Sequence, residues 1–136
     1  MEWRNGDYLL SDDKARLDLA VIHDLLKTSY WADDRPRVVT AKAIQHSVCF
    51  GLHLAAGQVG FARAVTDHAT FTWVCDVIIH PDHRRRGLGQ WMVKCLLEHP
   101  ELQTTSHHLG TRDAHGLYER HGFRRGEAMR RSTKPL

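Results

Sequence analysis

Between Val48 and Ile79 the chain runs through three strand-like segments with short turn signals, and after Pro81 its apolar period changes to that of a helix. The segments are Val48 to Ala55, Gln58 to Val65 and Phe71 to Ile79, with Ala56-Gly57 and Asp67-His68 as the turns. In the first, Val48, Phe50, Leu52 and Leu54 alternate onto one face. Connections this short join antiparallel neighbours, so the three form a meander. Leu88, Trp91, Met92, Cys95 and Leu96 then fall on one face of an amphipathic helix that Pro100 ends. Thr104 to Thr111 reads as a further strand. A strand, helix and strand over 71–111 make one right-handed parallel crossover on an otherwise antiparallel sheet.

The flanks add elements. Tyr8 to Ser11 is a short first strand, and Leu19, Ile22, Leu25 and Leu26 recur at helical spacing from Asp18 to Ser29. A second helix is predicted through roughly Val38 to Gln45. Ala114 to His121 reads as a short helix stopped by Gly122, and Phe123 opens a last strand toward Arg131. The order implies an α/β (α+β) class: a mixed, mostly antiparallel central sheet flanked by about four helices. No repeat or linker interrupts the chain, so residues 1–136 are read as a single domain.

At 42% hydrophobic and 26% charged residues, a disordered tail is excluded. No apolar run is long enough to cross a bilayer, and the start lacks the basic-then-apolar order of a signal peptide. Cys49, Cys75 and Cys95 are scattered without ligand spacing, which reads as reduced thiols of a cytoplasmic protein. The net charge of +3 gathers in Arg84, Arg85 and Arg86 and in Arg124, Arg125, Arg130, Arg131 and Lys134, favouring anionic partners.

The chemistry concentrates at Arg84-Arg85-Arg86-Gly87-Leu88-Gly89-Gln90, where a strand gives way to a helix through a glycine pair. Helix N-termini present unpaired N–H groups and the positive end of the dipole, and Gly87 and Gly89 let backbone approach an anion closely. A pyrophosphate suits such a loop; a tight turn with solvated arginines is the plainer alternative. The pattern is neither the GxGxxG dinucleotide loop nor a P-loop.

This stretch resembles the acetyl-CoA loop of the GCN5-related N-acetyltransferases (GNAT), with signature Q/R-x-x-G-x-G/A after a strand ending in V-x-P. Arg84, Gly87 and Gly89 match the signature, and Ile79-His80-Pro81 supplies the strand end. Leu117-Tyr118-Glu119-Arg120-His121-Gly122-Phe123 matches the family's second landmark. The resemblance implies strands splayed around 71–79 and 104–111, with the pantetheine arm of acetyl-CoA between them. It further implies that backbone groups of Val77, Ile78 and Ile79 hold the arm and the thioester, and that N–H groups from Arg85 to Gln90 cradle the pyrophosphate. Acetyl-CoA is then an acyl-donor substrate, with no metal. The expected reaction is transfer of an acetyl group to a primary amine by direct attack in a ternary complex.

Tyr118 occupies the family's thiolate-acid position, with packing under the last helix as its alternative. Asp76 could orient water or an amine, or serve as a hydrogen-bonding partner of a strand bulge. Gly110 stands nearest where some relatives place a glutamate base; of His107 and His108 at most one faces the site. Proton removal from the amine, which is almost wholly protonated at pH 7, falls to such a base or to ordered water. Tyr30 and Trp31, with Asp33 and Asp34, could bind a cationic acceptor, or form a capped helix end with solvated acids; Trp73 is expected in the core or a pocket wall. His80/His83 and His107/His108 lack the partners of a metal site. The rivals are a CoA-binding sensor without catalysis and a basic nucleic-acid-binding module, the latter disfavoured because aromatic residues are absent beside Arg84 to Arg86. A homodimer is compatible with the resemblance, which leaves the acceptor open.

Overall fold

The structure, a computed structural model, describes residues 1–55 and 57–133. Its strands are β1 (Glu2–Asn5), β2 (Tyr8–Ser11), β3 (Val48–Leu54), β4 (Gly57–Thr66), β5 (Phe71–Ile79) and β6 (Ser106–His108); its α-helices are α1 (Leu19–Lys27), α2 (Arg37–Gln45), α3 (Leu88–Glu98) and α4 (His115–Glu119). The strands lie side by side in sequence order, every neighbour antiparallel except the parallel pair β5–β6. The meander and the parallel crossover through α3 therefore stand as the alternation predicted.

Helices cover both faces of the sheet. Leu10, Phe50, Leu52, Ala62, Val74 and Ile79 pack with Met92, Cys95 and Leu96 of α3, while Cys49, Phe61 and Ile78 pack with Ile22, Leu25 and Leu26 of α1. Asp18 caps α1 by accepting from the Val21 amide at 3.2 Å.

Val74 and Ile78 sit an even number of residues apart on one strand yet face opposite cores. The cause is a β-bulge. Phe61 pairs with Ile78 but Arg63 pairs with Cys75, so β5 spends one residue more than β4 across that interval. Asp76 takes a left-handed backbone, φ 54°, inside it. The extra residue flips the in–out alternation of everything after it.

Three sequence expectations change. A hairpin partner, β1, precedes Tyr8–Ser11 and turns at Gly6, φ 58°. The strand expected over 104–111 keeps only Ser106–His108, paired with Phe71, Thr72 and Trp73. From Phe123 to Arg131 no strand forms. Arg124, Arg125, Glu127, Arg130 and Arg131 are all exposed, so this stretch has no apolar face with which to dock on the sheet. Lys134 of the basic cluster and Ala56 of the predicted turn lie outside the described residues.

Candidate acetyl-CoA site

Because β6 pairs with β5 only as far as Trp73, the remainder of that edge of β5 has no ladder partner among the described residues. β6 ends at His108, and beyond that point β5 borders a cleft of about 460 Å³. Val77, Ile78 and Ile79 form one wall, and Leu117 and Tyr118 of α4 another. N–H directions alternate along a strand. The His80 amide donates to the Val59 carbonyl at 2.8 Å, so the Ile79 amide points away from β4, toward the open side.

The loop after β5 is held by its own side chains. His80 caps a 3₁₀ turn over Pro81–His83 by accepting from the Asp82 amide at 3.1 Å. Arg84 folds back and donates from Nε to the Ile79 carbonyl at 3.0 Å. The Tyr8 hydroxyl receives Arg86 Nη1 at 2.9 Å and bonds His83 Nδ1 at 2.8 Å, bracing the loop against β2. Arg85 and Gly87 both take positive φ, 64° and 74°. Gly87 is the N-cap of α3, and no side chain caps the helix. The first-turn residues Leu88, Gly89 and Gln90 thus line the cleft with helix N-terminal amides, the positive dipole end and the Arg85 side. The donor set fits a pyrophosphate.

Tyr118 lies opposite β5. Its ring meets Phe123 edge-on at 5.7 Å, and burial pushes its hydroxyl up to about 12, with the nearby Tyr30, Cys75 and Asp113 acting in the same direction. At neutral pH it is a proton donor, not an acceptor.

At the cleft's other end stand Tyr30 and Trp31, edge to face at 5.1 Å and about two-fifths exposed. The Arg112 guanidinium lies 3.8 Å from the Tyr30 ring centre and the Arg112 amide donates to the Tyr30 hydroxyl at 2.9 Å. Trp31 reaches inward: its indole N–H donates to Asp76 Oδ1 at 3.0 Å. Asp76 is buried, and also receives Arg35 Nη1 at 2.7 Å and Nη2 at 3.2 Å and Arg63 Nε at 2.9 Å. Burial alone would raise its carboxyl, but hydrogen bonds and charge from Arg35 and Arg63 outweigh that and hold it below the usual range.

The structure thus brings Tyr30, Trp31, Val77, Ile78, Ile79, Arg84, Arg85, Gly87, Leu88, Gly89, Gln90 and Tyr118 to one cleft. Asp76 and Arg86 are tied to it through Trp31 and Tyr8. His107 bonds the Leu102 carbonyl and His108 stacks on Phe71, neither of them in the cleft wall. Trp73, expected in the core or a pocket wall, is 38% exposed and stands over Gly110 instead. Among the described residues, no three His, Cys, Asp or Glu side chains gather as a metal site, and no helix is long and apolar enough to cross a membrane. The sequence reading missed Arg35, Arg63 and the brace from Tyr8. The partners of Arg35 and Tyr8 lie far away in the chain and that of Arg63 sits across the β4–β5 hairpin, so no contiguous motif marks them.

Comparison with known proteins bears on the family and the fold. The acetyltransferase (GNAT) domain profile matches residues 45–125. A Gibberella zeae protein assigned as an acetyltransferase is 34% identical over 116 residues, covering 71% of this chain. The match spans 66% of that relative's length, just short of two-thirds. Among solved structures, one from Xanthomonas campestris pv. campestris, assigned to the GNAT acetyltransferases, superposes with a TM-score of 0.88 at 39% identity over 93% of both chains. A GNAT acetyltransferase from Elizabethkingia anophelis, solved with acetyl-CoA bound, shares the fold: TM-score 0.70, 13% identity, 90% of this chain and 80% of that one. With the domain profile covering more than half its length and a near-complete structural counterpart, this chain belongs to the GNAT acetyltransferase family.

Proposed function

We propose that this chain is an acetyl-CoA-dependent N-acetyltransferase that moves the acetyl group to a primary amine by direct attack in a ternary complex. The observation that carries the reading is the convergence of three features on one cleft: an open strand edge at Val77–Ile79, an uncapped helix start at Leu88–Gln90, and the partly buried Tyr118. In this reading the N–H groups of the loop and of the first turn of α3 take the pyrophosphate, and Arg85 adds charge at the mouth. The pantetheine arm lies along β5 as a substitute strand, and the Ile79 amide is the donor for its polar groups or for the thioester carbonyl.

The neutral amine attacks the thioester carbon, forming the C–N bond. The C–S bond breaks, the thiolate takes the proton of Tyr118, and the amine's surplus proton leaves through water; solvent restores Tyr118. Asp76 is committed to Trp31, Arg35 and Arg63, which favours the water route over a carboxylate base. The three cysteines are free thiols, in keeping with a cytoplasmic setting.

The test begins with calorimetric titration of acetyl-CoA. Release of CoA thiol is then followed against 2-phenylethylamine, spermidine, glycinamide and a lysine-containing peptide. Binding with amine-dependent thiol release is the expected outcome. Absence of binding overturns the proposal, and binding without release on any amine would make the chain a CoA sensor.

A further inference from the structure

A carboxylate has about four lone-pair positions for hydrogen bonds, and all four on Asp76 are taken by Trp31, Arg35 and Arg63. Taking up a proton there would break a buried ion pair with two guanidiniums, so the group is built to stay ionised. Its partners show what the charge holds. Trp31 and Arg35 belong to the segment joining α1 to α2, which contains no strand or α-helix. That segment supplies Tyr30 and Trp31 to the cleft. Arg63 comes from β4 and fixes the carboxylate from the sheet side, donating as well from Nη1 to Ser47 Oγ at 3.1 Å. The bulge with left-handed φ at Asp76 sets that carboxylate in β5, one residue before the open wall of Val77–Ile79.

We propose that Asp76 is a positioning residue for the acceptor: through Trp31 and Arg35 it fastens the segment between α1 and α2 to the β5 bulge, and so sets the aromatic wall that orients the amine. This rests on the N-acetyltransferase reading and assigns Asp76 no proton transfer. The ionisable groups around the carboxylate are Arg35, Arg63, Cys49 and Cys75. The thiols are held neutral by burial, and the two guanidiniums keep Asp76 an anion across the assay range. The acid limb of kcat/KM therefore comes from the amine itself.

Steady-state kinetics of Trp31→Phe and Asp76→Asn decide the matter, using whichever of the four amines above is acetylated fastest. Trp31→Phe keeps one aromatic ring in the wall and removes the N–H donor to Asp76 together with the pyrrole half of the indole. It should raise KM for the amine about tenfold, the low end of what a hydrogen bond to a charged group is worth because this one acts on the amine only through the wall, and leave acetyl-CoA affinity by calorimetry unchanged. Asp76→Asn should show the same pattern more strongly, and its acid limb should still move with the pKa of the amine. The opposite pattern overturns the proposal: an unchanged amine KM in Trp31→Phe, or an acid limb that vanishes in Asp76→Asn as kcat collapses. Should Asp76→Asn show no cooperative unfolding transition, the KM of Trp31→Phe decides alone. A wild-type chain that acetylates none of the four amines overturns the acetyltransferase reading, and this inference with it. An active wild type with a silent Trp31→Phe removes only the positioning role.

Discussion

Tyr118 would be a poor acid for a thiolate in water, because a phenol at its ordinary value of about 10 is less acidic than a thiol at about 8.5. Burial changes both sides of that comparison. It pushes Tyr118 up to about 12, and it pushes the protein's own thiols, Cys49, Cys75 and Cys95, up to about 11. A thiolate leaving inside the cleft loses water in the same way, so the proton affinities of donor and acceptor stay within reach of one another. The ring of Tyr118 packs on Phe123 whether or not it carries a hydroxyl. Tyr118→Phe is therefore expected to keep its melting temperature and its calorimetric affinity for acetyl-CoA. Its kcat should fall about a hundredfold or more, as removal of a general acid does. Unchanged kcat would return Tyr118 to a packing role.

At the scale of elements, the turn from β5 into α3 depends on one backbone conformation. Gly87 holds φ 74° at the N-cap, and a Cβ placed there would meet nothing within 4 Å. A Cβ at this position therefore meets no steric neighbour, and the cost of an alanine there is conformational. Gly87→Ala should lose about 1–2 kcal/mol of stability in denaturant titration, and it should weaken acetyl-CoA binding because the amides of α3 start from a different direction. Gly126→Ala, at an open position without positive φ, should change neither. This turn was legible in the sequence because its strand end, arginines, glycines and apolar helix face are contiguous. The meander was legible for the same reason, through local alternation. β1 was harder to read, since Trp3 is its one large apolar residue, although Asn5-Gly6-Asp7 did carry a turn signal. The bulge was legible only as one of two roles open to Asp76: aspartate tolerates a positive φ better than most side chains, but a single Asp in Cys75-Asp76-Val77 does not by itself fix one. Without the bulge, Val74 and Ile78 read as one face. The acceptor side was the least legible part. Arg63 and Asp76 meet across the β4–β5 hairpin, but Arg35 joins them only once the distant segment between α1 and α2 has folded onto it.

For the whole molecule, the shifted groups add up to a stability profile with limbs on both sides of neutrality. His53 and His121 are lowered by burial, with Arg16 contributing at His53, and each has a buried Nε2 that finds no hydrogen-bond partner among the described residues. A lowered folded pKa means the neutral ring is favoured in the native state. Their contribution is complete above the unfolded value of about 6.5 and is lost as pH falls through the folded values. Asp76, lowered by its guanidinium partners against burial, and Asp67, lowered by hydrogen bonds from Thr70, Ala69 and Phe71, add a second acid limb below about 4. On the alkaline side the sign reverses. The three thiols and Tyr118 have raised folded values, so their contribution is complete below the unfolded thiol value of about 8.5 and is lost as pH rises through the native values. The melting temperature should thus hold a plateau between about pH 7 and 8.5 and decline on either side. Circular dichroism melts across that range check this. His53→Leu should flatten the first acid limb, and Cys49→Ala the onset of the alkaline one, each independently of the other. A melting temperature that rises on acidification from neutrality would mean that the imidazoles of His53 and His121 gain a charge partner in the fold instead of being buried neutral.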